Sequence, residues 1–174
     1  MLSTYLNQLY HILTAYFIKL SRSEKMQRSG ERIFVFLIGC FLYSLIEITA
    51  RGYTHWSMTI TGGICMVFIY HMTNDTNINI IFKCIFGALF ITCAEFVVGI
   101  IVNIIFKWNV WDYSDMPANV LGQICLPFSF IWFMLCFVGY MLSKLISNKF
   151  RRIYEKEKIS CEITQPIFLP QENL

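Results

Sequence analysis

Four long apolar runs, Ile33–Ala50, Trp56–Met72, Ile78–Phe106 and Val120–Ile146, take up most of this 174-residue chain. A helix that crosses a hydrocarbon layer of ~30 Å needs about 20 mostly apolar residues. Backbone inside lipid must also satisfy its own hydrogen bonds. The runs therefore predict an all-α, multi-pass transmembrane helical bundle of four spans. Only 14% of residues are charged and 56% are hydrophobic, against roughly 25% charged in soluble domains, and the mean hydropathy is +0.56. Little chain is left for an ATPase, receptor or nucleic-acid domain, so any energy source must come from another chain.

The second run is the shortest and most polar, with Thr59, Thr61 and the pair Gly62 and Gly63. Adjacent glycines weaken a helix, but small residues let a neighbouring helix approach closely in a bilayer. A packing notch is the favoured reading, and a substrate-lining break is the alternative.

Ahead of these runs, Leu6, Leu9, Leu13, Tyr16, Phe17 and Leu20 recur at helical spacing between polar residues. Lys19, Arg22, Lys25 and Arg28 follow. This pattern predicts an amphipathic N-terminal helix lying at the interface beside anionic lipid, with a fifth span as the alternative. It lacks the basic n-region and small-residue cleavage site of a signal peptide. Residues 1–32 are thus read as interfacial helix and basic linker, 33–146 as the membrane bundle, and 147–174 as a tail.

Five of the 14 Lys and Arg lie up to Arg32 and six between Lys144 and Lys158. Basic flanks stay inside, so the expectation is a multi-pass cell-membrane protein with both termini cytoplasmic. The connections Arg51–His55 and Lys107–Ala118 then face outward, with Trp56, Trp108 and Trp111 as headgroup anchors.

The seven cysteines form no C-x-x-C pair, and the three histidines are scattered. Metal-ligand spacing, phosphate loops and hydrolase or zinc-protease motifs are absent from the sequence. No cofactor, no metal and no enzymatic activity are expected. The net charge of +3 comes from membrane-flanking segments, which gives no support to nucleic-acid binding.

Ionisable groups inside the runs carry the chemical information, because a carboxylate in lipid must pair, take up a proton or meet water. Glu47 precedes Arg51 by four residues, the spacing of a helical ion pair, so a structural salt bridge is favoured there. Glu95 has no such neighbour; candidate donors are Thr59, Thr61, Ser129 or a tryptophan N–H, and structural and transport roles are both open. Thr92, Glu95, Gly99 and Asn103 share one helical face. Asn119, Gln123 and Pro127 are similarly spaced, and either set is a polar track or glue between helices.

The segment NVWDYSDMPANVLGQICLPF (residues 109–128) combines aromatics, two acids and two prolines just before the last apolar run. Non-helical backbone at membrane depth survives only against protein or water, which marks this face as functional. Together with Tyr43, Glu47, Arg51, GYTHWSM, Gly62, Gly63, Glu95 and Gly99, the segment resembles the bacterial family named Putative ABC-transporter type IV. The resemblance covers roughly Tyr43–Trp132 and is most specific at WDYSDMPANVLGQICL. It implies a small multi-pass membrane protein of the kind labelled an ABC transporter permease.

The leading expectation is therefore a transporter-like integral membrane protein, a permease subunit for an unidentified substrate. Its candidate binding residues are Glu47, Arg51, Glu95, Asn103, Asp112 and Gln123, and its expected partners are the lipid bilayer and either a second copy or another membrane subunit. The alternative is a membrane interaction or regulatory protein without transport activity.

Overall fold

A computed structural model describes residues 28–75 and 78–164. The amphipathic helix expected over residues 5–20 lies outside the described residues. Four helices follow one another: α1 (Arg28–Arg51), α2 (Trp56–Asp75), α3 (Ile80–Gly99, continuing as a π-helical segment Ile100–Ile105) and α4 (Leu126–Thr164). No strand occurs among the described residues; one isolated bridge pairs Val120 with Ile124. The protein is all-helical, and α1, α3 with its π segment, and α4 are long and apolar enough to cross a membrane.

Local chemistry sets the helix ends. α1 stops at Arg51 because Gly52 takes φ +80° and its N–H caps the Ile48 carbonyl at 2.8 Å, a glycine-dependent left-handed C-cap. α2 starts after His55, whose carbonyl accepts from the N–H groups of Met58 and Thr59. Asn79 caps α3 through its side chain to the Ile81 N–H at 3.4 Å. Pro127 sits in the first turn of α4, where no intrahelical N–H is required.

The fourth apolar run is helical only from Leu126. Val120 pairs with Ile124 instead, and Leu121 and Gly122 both take positive φ, which no helix allows. Asn119 and Gln123 therefore lie in a loop and form no helical track with Pro127. At its other end α4 continues to Thr164, well past the expected end at Ile146.

The chain divides into two compact units. Among the described residues, the first takes 28–67 together with Ala94–Trp111, and the second takes Phe68–Cys93 and 112–164.

In the first unit α1 buries Val35, Gly39, Tyr43 and Glu47, one residue every four. That stripe meets the small residues of α2. A β-carbon on Gly39 would stand 2.7 Å from the Gly62 carbonyl oxygen, and one on Gly62 would stand 2.6 Å from Cγ of Tyr43. The glycine pair is thus a packing notch for α1. Between Trp56 and Val67 only Trp56, Ile60 and Ile64 are exposed, so protein covers most of the polar content of this half of α2.

In the second unit Phe68 stacks on Phe90 with ring centres 3.9 Å apart. Gly87 leaves room for the Cys136 thiol, which would lie 2.9 Å from an added β-carbon. The Lys83 ammonium donates to the Thr73 carbonyl at 3.0 Å, and Thr92 donates to Ser129 at 3.3 Å.

Candidate functional site

Polar side chains in the first unit gather on the buried stripe of α1 and the facing side of α3. Glu47 is buried and forms an ion pair with Arg51 one turn on; the Thr54 hydroxyl donates to its other oxygen. Arg51 also donates to the Val110 carbonyl at 3.2 Å, and its guanidinium lies 5.3 Å from the centre of the Tyr53 ring. Removing one partner from a buried pair strands the other charge, so these bonds hold the end of α1 to the segment after α3.

Asn103 makes the matching connection from α3. It lies in the π-helical segment Ile100–Ile105, where the Phe106 N–H reaches back to Ile101 and the Trp108 N–H to Val102. Such wide turns re-aim side chains and are frequent at functional sites. The Asn103 oxygen accepts from the Val110 N–H at 2.7 Å, and its amide donates to the Trp111 carbonyl at 3.0 Å. One carboxamide thereby satisfies both backbone groups of a segment that has no strand partner. Lys107 and Asn109 take positive φ beside it.

Glu95 is 2% exposed. Tyr43 donates its hydroxyl proton to Oε1 of Glu95 across 2.7 Å. The three hydroxyls expected from the sequence bond elsewhere. Thr59 bonds Ser44, Thr61 bonds the Ser57 carbonyl, and Ser129 bonds Thr92 and the Cys125 carbonyl. Tyr43 was legible as one turn before Glu47 on the same face, but which helix faces Glu95 is a tertiary fact.

The remaining two candidates belong to the second unit. Asp112 is exposed and accepts from both the Ser114 hydroxyl and the Ser114 N–H at 2.9 Å. These bonds, the hydroxyl's first, hold its carboxyl below the usual carboxylate range. Asn119 closes the same loop, donating to the Ser114 and Met116 carbonyls and accepting from the Gly122 N–H. Gly122 is required here by its φ of +67° and by the nearby Asp112 and Ser114 oxygens. Gln123 is buried and donates to the Leu121 carbonyl at 2.9 Å. Both residues thus serve the fold of the loop.

Trp56 and Trp108 are exposed and pack with His55 at the end of the first unit, 6.1 Å apart. Trp111 is 6% exposed, so burial removes it from the expected set of headgroup anchors. His55 Nδ1 lies 2.7 Å from the Ser57 hydroxyl and accepts the Ser57 N–H, a local cap on the start of α2. No group of three or more metal-binding side chains occurs among the described residues.

Long apolar helices with exposed Phe41, Phe82, Leu89, Phe130 and Leu145 define an integral membrane protein of helical type. The chain matches the Putative ABC-transporter type IV family over residues 34–169 and belongs to it. No curated protein and no solved structure matches it.

Proposed function

We propose that this protein is a small permease-type subunit of a transporter, with four spans and both termini in the cytoplasm. Its substrate-facing element is the polar column of the first unit: Tyr43, Glu47, Arg51, Glu95 and Asn103. The observation that carries the reading is Glu95, an acid buried in an apolar helix and held by a tyrosine of another helix. Ionisable groups are expensive in a membrane and are retained chiefly for function.

α2 counts as the fourth span on this reading. Its 20 residues rise about 30 Å, and its threonine hydroxyls bond to α1 or to its own backbone rather than facing lipid. On this reading the energy source is a partner subunit. The reading is non-enzymatic.

A second reading, a membrane interaction or regulatory protein, draws on the way the column's groups bond to one another. In addition, a shallow, open apolar depression lies outside the column, at Leu45, Ile46, Thr49 and Ala50 of α1.

Hydroxyl-radical footprinting in native membranes separates the two. Tyr43 and Tyr70 are each 8% exposed, and Trp111 and Trp132 are each 6% exposed. A transport path wets the column, so Tyr43 and Trp111 should be oxidised several-fold faster than their equally buried counterparts. Equal protection within each pair would reject transport and leave the interaction reading.

A further inference from the structure

We propose that the second unit carries a binding site for the headgroup of an anionic phospholipid, built on Tyr140 with Lys83 and Lys144. The Lys83 and Lys144 ammonium groups lie 5.6 and 5.3 Å from the centre of the Tyr140 ring. An aromatic face attracts cations, and here one ring holds two of them, from α3 and α4. Lys83 is further fixed by its bond to the Thr73 carbonyl at 3.0 Å, whereas Lys144 is exposed. Two like charges gathered at one ring form a receptor for a phosphate.

The position along α4 selects a lipid as the source of that phosphate. Eighteen residues separate Leu126 from Lys144, a rise of about 27 Å, close to the ~30 Å of a hydrocarbon core. Lys144 therefore stands where the apolar layer ends and headgroups begin. Val138, Met141 and Leu145 are exposed on the same helix at helical spacing, with Met141 about 60° around it from Lys144. An acyl chain lies along that stripe while its phosphate meets the ammonium groups, so one amphiphile satisfies both surfaces. The site depends on α3 and α4 lying in a bilayer and stands whether or not the chain transports anything.

Native mass spectrometry of the full chain in detergent, with equimolar phosphatidylglycerol and phosphatidylcholine, tests the site. The wild type should retain phosphatidylglycerol preferentially. Lys144→Gln should lower that retention about fivefold, the effect of one lysine near an anionic surface, and Tyr140→Leu should lower it as well. Lys149 is also exposed but faces about 140° away from Lys144 around the helix. Lys149→Gln, with the same loss of charge, should leave retention unchanged. Equal retention of the two lipids, or equal loss in Lys144→Gln and Lys149→Gln, would overturn the proposal. Release of the lipid by excess inorganic phosphate would replace it with a simple anion site.

Discussion

Tyr43 and Glu95 show how much a single pairing decides. A buried carboxylate that loses a donor pays an unreturned desolvation cost of about 1–3 kcal/mol. Tyr43→Phe should therefore lower the unfolding free energy in detergent by roughly that amount. Glu95→Gln keeps an acceptor for the Tyr43 hydroxyl and should cost less. Because the two residues touch, the double variant should cost less than the sum of the singles, with a coupling of at least ~0.5 kcal/mol. Strict additivity in denaturant unfolding would show that the hydrogen bond contributes nothing.

Among elements, the α1–α2 contact rests on absent side chains. Gly62→Ala drives a methyl group into Tyr43, and overpacking of this kind costs about 1–3 kcal/mol. Gly30 also lies in α1, but a β-carbon there meets nothing within 4 Å. Gly30→Ala should be neutral, or stabilising by up to ~1 kcal/mol through helix propensity. Thermal unfolding of the two variants side by side checks this; equal effects would mean that helix propensity rather than close approach governs the glycines. The π-helical segment around Asn103 belongs to the same scale. A wide turn there lets one amide side chain bond the backbone at both Val110 and Trp111.

For the whole molecule the open question is the path through the membrane. Four spans with basic ends inside put the loop containing Asp112 and Ser114 on the opposite side from Ser147. An impermeant thiol reagent on intact cells should label Ser114→Cys above the unsubstituted baseline. Ser147→Cys should react only after permeabilisation. Labelling of both from one side would mean that α4 does not cross and would reject the four-span topology.

The sequence alone determined the helical class, three of the apolar spans, the Glu47–Arg51 pair and the family. Each is a local property: the length of an apolar run, a spacing of four residues, a contiguous motif. Tertiary structure decided that Tyr43 serves Glu95, that Trp111 is buried, and that Asn119 and Gln123 lie in a loop. Those outcomes depend on which helix faces which and on backbone with positive φ at Leu121 and Gly122. An apolar run up to Ile146 cannot reveal such a break, because hydropathy reports burial in lipid or protein and carries no record of the dihedral angles that end a helix.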